Sequence, residues 1–527
     1  MNASTRNLTT SALAVLLVAA LCQTTSVQTA AAGTASCEAL AGLKLPNATI
    51  SAAQTVAAGS FSLPVPNRGG AAGGRGAAIA QVYASLPGFC RVAATLTPSS
   101  DSDIKVEVWL PASGWNGKFQ AVGNGGWAGV ISYLAMAQAV AAGYASASTD
   151  TGHAGNSGAF ALGHPEKVID FGYRAVHEMT VQAKAIANIY YGTAPRLAVW
   201  NGCSQGGRQG ITEAQRYPAD YDAIIAGAPA VNGMSLHAAR VAISQVVNRA
   251  ADSYIPAEKY PAIRDAVLNA CDMQDGVKDG VLENPERCRF DPKALECHGA
   301  DAPSCLTPAQ VETARALYAP IKHPKTGAIV FPALLQRGSE AGWATLASPA
   351  PIGLAVEAFK YTLFNDPNWD WHRFNAATDI DLLLKTDKGI MESSDTNLKP
   401  FFNRGGKLLV YHGWSDPQVS AMNTVNYFNE VTKVAGPGVV GKSIQLYMVP
   451  GMAHCAGGPG TDTFDKVAAL EHWVQTGSAP DQILASHATA GKVERTRPLC
   501  PYGKVARWKG TGSSDEAANF SCVVEGH

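Results

Sequence analysis

Gly202-Cys203-Ser204-Gln205-Gly206-Gly207 sets a serine among small residues, after an apolar run, Arg196 to Trp200, and before a helical pattern, Gly207 to Arg216. A serine hydroxyl is a weak nucleophile until a neighbouring imidazole takes its proton, and a carboxylate must hold that imidazole in the right tautomer. Strand, sharp turn and helix meet the first need. The turn lifts the hydroxyl clear of a sheet, flanking glycines avoid Cβ clashes, and the helix N-terminus favours developing negative charge. The partners belong further along, each just past a strand. Lys407 to Tyr411 is followed by Asp416, and Ser443 to Val449 by His454. We therefore expect Ser204 as nucleophile, His454 as base and Asp416 as the group that orients the base. His412 comes too early on the loop that supplies the acid to be the base, and a structural role is expected for it. Asp150 and His153 end an earlier strand, Tyr144 to Ser148, and are expected to fix a loop near the site.

Charge developing on an attacked carbonyl oxygen needs two N–H donors. Gln205, the residue after the nucleophile, should supply one. The loop Gly123-Asn124-Gly125-Gly126-Trp127, after the strand Lys118 to Val122, should supply the other, with Gly126 the first choice and Gly125 next. Cys203 precedes the nucleophile and Cys455 follows the base, so a correct triad makes them neighbours able to close a disulfide. Free thiols are the alternative.

A second cluster runs from Cys271 to Val281. Asp272, Asp275 and Asp279 fall on one short loop with Gly276 and Gly280, and the carbonyls of Val277 and Val281 add neutral oxygens. Hard oxygen donors of this kind suit Ca²⁺, although the spacing is not that of an EF-hand. A polar Asp-Gly loop without metal is the plainer reading. Cys288 can pair with Cys271 and cinch the loop, which favours the metal.

Elements of two periods must position these groups. Ile104 to Leu110, Lys118 to Val122, Tyr144 to Ser148, Arg196 to Trp200 and Tyr221 to Ile225 read as strands, Thr49 to Val65 as edge strand, and Val168 to Tyr190 as one long helix. The alternation implies an α/β fold with a mostly parallel sheet and helices on both faces, of the α/β-hydrolase type. It breaks after about Ala230 and resumes at Lys407. Residues 33–230 and 401–527 are therefore expected to build the catalytic domain, and 231–400 a large inserted lid that carries the calcium loop.

Residues 1–32 read as a signal peptide. Arg6 gives a positive start, Ser11 to Leu21 an apolar segment about half the ~20 residues of a spanning helix, and Ala30-Ala31-Ala32 a cleavage site. Lipid attachment at Cys22 is rejected, because Leu21 stands where a small residue is needed. Of eleven cysteines, the ten beyond the signal (Cys37, Cys90, Cys203, Cys271, Cys288, Cys297, Cys305, Cys455, Cys500 and Cys522) suit five disulfides in a secreted, periplasmic or extracellular, protein. No C-x-x-C pair supports zinc. The remaining chain exceeds the ~250–300 residues at which single cores stop growing, in keeping with two units. Net charge is −1 without a Lys/Arg block, so no nucleic acid or membrane partner is expected.

Together these residues resemble the tannase and feruloyl esterase family, which includes hydrolases of mono(2-hydroxyethyl) terephthalate. Cys203-Ser204, Asp416 and His454-Cys455 are similar to its hallmark, a disulfide joining the residue before the nucleophile to the residue after the histidine. Asp272, Asp275, Val277, Asp279 and Val281 match its lid calcium loop, and Arg404 to Leu408 and Arg497 to Tyr502 match further stretches. The resemblance runs from Cys37 to Cys522. It implies an α/β-hydrolase with a large lid and a substrate that is a feruloyl, other hydroxycinnamoyl or galloyl ester, free or on plant polymers. Trp369, Trp371 and Phe374 are candidates for stacking on the acid ring, with burial in the lid core the favoured reading of each. Terephthalate monoester hydrolysis and general aryl esterase activity are the neighbouring functions. A non-catalytic, calcium-stabilised binding protein is the reading from another class, and the complete set Ser204, Asp416 and His454 weighs against it.

Overall fold

The structure, a computed structural model, describes residues 35–63 and 74–525. The expected signal peptide, 1–32, lies outside the described residues. One nine-stranded sheet organises the chain: β1 (Ala48–Val56), β2 (Phe89–Leu96), β3 (Ile104–Pro111), β4 (Lys118–Val122), β5 (Ala145–Thr149), β6 (Leu197–Cys203), β7 (Ala223–Gly227), β8 (Lys407–Gly413) and β9 (Ile444–Val449). Their order across the sheet is β1-β2-β3-β5-β4-β6-β7-β8-β9. The first three strands pair antiparallel, β3 pairs antiparallel with β5, and every later neighbour is parallel. Both faces of the parallel strands are covered, so β4, β5 and β7 are buried at every position, and β7 reads as a short apolar run. This is an α/β-hydrolase sheet.

Parallel neighbours require crossovers, and helices supply them. The longest, α1 (Ala175–Tyr191), buries Val176, Met179, Ala183 and Ile186 against the sheet and ends at Gly192, whose positive φ closes the helix. A single helix over 168–190 is not what forms. A short helix, Pro165–Ile169, joins α1 through a π-turn at Asp170–Arg174. The widened turn buries Asp170, which Arg174 Nε meets at 2.6 Å, and brings Phe171 to the wall of the central cavity.

Helix α2 (Gln205–Arg216) follows β6 directly. The stretch 228–406 is inserted between β7 and its parallel neighbour β8. It builds most of two apolar clusters, one around Trp343, Phe331 and Leu335 that Val419 joins, the other around Phe359, Trp369 and Phe374 that Trp127 and Phe171 join. Helix α3 (Gly233–Val247) joins them. Ala239, Ile243 and Val247 enter the first, and Met234, Ala238 and Val241 the second. Five disulfides close the structure: Cys37–Cys90, Cys203–Cys455, Cys271–Cys288, Cys297–Cys305 and Cys500–Cys522. No helix among the described residues is long and apolar enough to cross a membrane.

Candidate active site

Ser204 sits in the turn between β6 and α2 with φ 62° and ψ −122°. This left-handed backbone costs about 1–3 kcal/mol for a residue with a side chain. The neighbours make room for it. A Cβ on Gly202 would stand 2.4 Å from Gly206 O, so only glycine lets the strand end pass under the helix start. The turn is tied down by Ser204 N–H donating to Gly227 O at 2.9 Å.

His454, on the loop after β9, places Nε2 2.8 Å from Ser204 Oγ, and its Nδ1 donates to Asp416 Oδ2 at 2.6 Å. Asp416, after β8, is fully buried. Its Oδ1 accepts the N–H groups of Gln418 at 2.7 Å and Val419 at 3.0 Å. Burial alone would raise this carboxyl, but hydrogen bonds from His412 and His454 outweigh it and hold the group well below the usual carboxylate range. His412 is buried beside the acid rather than beside Ser204. Its Nε2 faces Asp416 Oδ2 at 3.0 Å and Val419 O at 3.1 Å, while Nδ1 meets the Thr424 hydroxyl at 2.7 Å. It therefore braces the acid, the structural role expected of it. Ser204, His454 and Asp416 come from the ends of three strands, where open α/β sheets gather their ligands.

Gly125, Gly126 and Gln205 all line the cavity above Ser204. Among the described residues, their N–H groups find no protein acceptor, whereas Gly123 N–H is spent on Asn201 O. His153 holds this loop from behind, while Asp150 fixes the turn that carries His153. Asp150 Oδ1 accepts from Lys105 N and Gly152 N, and His153 Nε2 lies 2.7 Å from Trp127 O. Burial pushes the Asp150 carboxyl up to about 7, against the two N–H groups that favour its anion. The folded chain thus holds a proton that the unfolded chain has already released above the ordinary carboxylate range. This group's contribution to stability is full at low pH and falls as pH rises through about 7. Asp150→Asn should therefore gain melting temperature relative to wild type between about pH 4 and about pH 7, and keep that gain above it. A difference that stays constant with pH would count against a protonated carboxyl.

The cavity measures about 590 Å³, and its apolar wall includes Trp127, Phe171, Leu236, Leu354 and Met391. Trp369, Trp371 and Phe374 are not among its lining residues, in keeping with the lid-core reading and not with stacking on a substrate ring. Trp369 stacks on Phe359 at 5.0 Å, Phe374 packs edge-on against Phe359 at 5.2 Å, and Trp371 stacks on His372. Trp369 and Phe374 are thus buried in the lid core around Phe359, and Trp371 packs half-buried at its edge. The wall residues that take their place carried one sequence signal, the spacing of Gly233, Leu236, His237 and Arg240 along one face of α3.

The aspartate loop folds around its own carboxylates. Asp272 accepts from Gly280 N at 3.0 Å, Asp275 from Val277 N at 2.9 Å and Asp279 from Val281 N at 3.2 Å. Arg497 meets Asp279 at 2.6 Å. Asp272 and Asp275 have no such cationic partner among the described residues, and they line a polar cavity with Glu283 and Asn284. Burial, with Asp279 and Asp272 adding to it, pushes Asp275 up to about 6, and burial pushes Glu283 up to about 8. Uncompensated hard oxygens of this kind fit a divalent cation. The three aspartates do not gather three oxygens within 4.8 Å of one another.

A family model described as tannase and feruloyl esterase matches residues 90–523. An uncharacterized esterase of Xanthomonas campestris pv. campestris is 34% identical over 545 residues, 94% of this chain and 92% of that protein. A probable feruloyl esterase B-1 of Aspergillus oryzae is 32% identical over 93% of each chain. The crystal structure of feruloyl esterase B from Aspergillus oryzae superposes with a TM-score of 0.84 at 30% identity, over 92% of this chain and 99% of that one. Matched over most of its length in sequence and in fold, the chain belongs to the tannase and feruloyl esterase family and is a carboxylic ester hydrolase.

Proposed function

We propose that the protein is a secreted serine hydrolase that cleaves esters of aromatic acids, feruloyl and other hydroxycinnamoyl esters or galloyl esters, through an acyl-enzyme on Ser204. The observation that carries this reading is the chain Ser204 Oγ, His454 and Asp416, at 2.8 and 2.6 Å, opening on an apolar cavity of about 590 Å³. His454 Nε2 takes the hydroxyl proton as Oγ attacks the ester carbon. The N–H groups of Gln205 and Gly126 receive the oxyanion, and His454 returns the proton to the leaving alcohol. Water then repeats the sequence on the acyl-enzyme. Asp416 stays ionised throughout and stabilises the imidazolium. Similarity to a probable feruloyl esterase supports the aromatic acid. Five disulfides support export to an oxidising compartment.

The test is a panel of feruloyl, galloyl and terephthaloyl esters beside 4-nitrophenyl acetate. Turnover of the acetate with none of the aromatic esters would overturn the substrate class. Turnover of nothing would favour a binding protein on a hydrolase scaffold.

A structural Ca²⁺ in the lid belongs to the same proposal, held by Asp272, Asp275 and Asp279 with the carbonyls of Val277 and Val281. The ion supplies charge to Asp272 and Asp275, which form no ion pair among the described residues, and it contributes no group to the ester chemistry. A ligand that binds only the folded lid stabilises it by mass action. Chelation should therefore lower the melting temperature by several degrees, and Ca²⁺ should restore it. Asp275→Ala should show the same deficit without the rescue. Identical melting curves before and after verified metal removal would exclude the site.

A further inference from the structure

Helix α3 presents Gly233, Leu236, His237 and Arg240 to the cavity, and the last of these is chemically out of place there. Arg240 is only 4% exposed. Its single acceptor among the described residues is the Gln418 carbonyl, 2.5 Å from Nη2, and Nε has none. The other cavity arginine differs. Arg208 donates to Gln205 Oε1, Ser393 Oγ and Phe171 O, so its guanidinium is consumed by the scaffold. The carboxylate that acts on Arg240 is Asp416. Both oxygens of Asp416 are already taken, Oδ1 by two backbone N–H groups and Oδ2 by His454 and His412.

Two further polar atoms on the same wall also lack partners. Gln205 Nε2 and His237 Nδ1 are buried with no hydrogen bond. His237 is held neutral by burial and by the neighbouring arginines, so its ring can donate from either nitrogen. Burial lowers the Arg240 guanidinium to about 10, which leaves it charged at neutral pH. Donors left unmatched in a buried wall discriminate strongly for a ligand that brings acceptors and against one that does not. The remaining wall is apolar and aromatic, suited to a ring.

We propose that Arg240 is a specificity-determining residue that, with Gln205 and His237 beside it, selects acids bearing an oxygen acceptor on the ring away from the scissile ester. This rests on the aromatic-ester reading above. A phenolic oxygen or a carboxylate can serve, and the anion gains most because the guanidinium has no ion-pair partner among the described residues.

The experiment compares kcat/KM for methyl cinnamate, methyl 4-hydroxycinnamate and methyl 4-carboxycinnamate, in wild type, Arg240→Met and Arg240→Lys. Wild type should prefer the oxygen-bearing esters over methyl cinnamate by about 10- to 100-fold, mostly through KM. Arg240→Met should collapse the preference to within about threefold, and Arg240→Lys should restore it for the carboxylate more than for the phenol, because a point charge lacks the planar fork. Two results would overturn the proposal. One is a wild type that does not discriminate, which needs no variant to be folded. The other is a folded Arg240→Met that keeps the wild-type ratios. Wild-type turnover of 4-nitrophenyl acetate but of neither the three cinnamates nor methyl gallate would overturn the aromatic-ester reading itself, and this inference with it.

Discussion

Ser204→Ala should lower kcat for ester hydrolysis by about 10⁴-fold or more while leaving the melting temperature within a few degrees of wild type. The substitution deletes only the hydroxyl that forms the acyl-enzyme, and the triad acts as a unit, so His454→Ala should cost nearly as much and the double variant little more. The fold is expected to tolerate the change, because the turn at Ser204 is held by its backbone bond to Gly227 and by the fit of Gly202 against Gly206, not by Oγ. Burst kinetics with a chromogenic ester give a second readout. Wild type should release one equivalent of alcohol per enzyme before steady state when deacylation is slow, and Ser204→Ala should show no burst. A folded Ser204→Ala enzyme that retains activity within a few-fold of wild type would exclude this nucleophile and the mechanism built on it.

Replacing Cys203 and Cys455 together with Ala should reduce kcat by about 100-fold with a much smaller change in KM. The bridge joins the residue before the nucleophile to the residue after the base, across 252 residues of chain. Cys455 also carries a φ of 64°, so the histidine loop turns back at the point where the bridge anchors it. Loop closure alone contributes on the order of 3–5 kcal/mol to stability for so long a loop. The rate effect is separate. Proton transfer from Ser204 to His454 depends on a contact of 2.8 Å, and a misplacement of about 1 Å can cost on the order of 100-fold. Measurements well below the variant's melting temperature separate the two effects. A folded double variant with wild-type kcat would show that the sheet alone holds the triad, and peptide mapping that linked either cysteine elsewhere would remove the coupling.

Much of the site was legible in the chain because its chemistry is local. A serine held at positive φ between a strand and a helix needs glycine on either side, so Gly202 and Gly206 mark the turn wherever the rest of the protein lies. Asp416 and His454 were found by their place just past two buried strands, and both took that place. The lid's wall was not legible. Nothing in the order Trp369, Trp371, Phe374 tells whether those rings face a substrate or one another. Phe359 settles it by offering Trp369 and Phe374 a stacking and an edge contact inside the lid. Phe171 was hidden for a different reason: a regular helix through 170–174 would aim it elsewhere, and the π-turn is visible only in the folded backbone.

Turn geometry and strand ends restrict residue types within a few positions, so the chain alone points to the candidate centre, the order of its parts and the two cysteines beside it. What the centre faces follows only from the packing. Trp127, Phe171, Arg240, Leu354 and Met391 reach the cavity from separate segments. No short-range pattern specifies such a wall, because each side chain's direction depends on packing against residues far away in the chain.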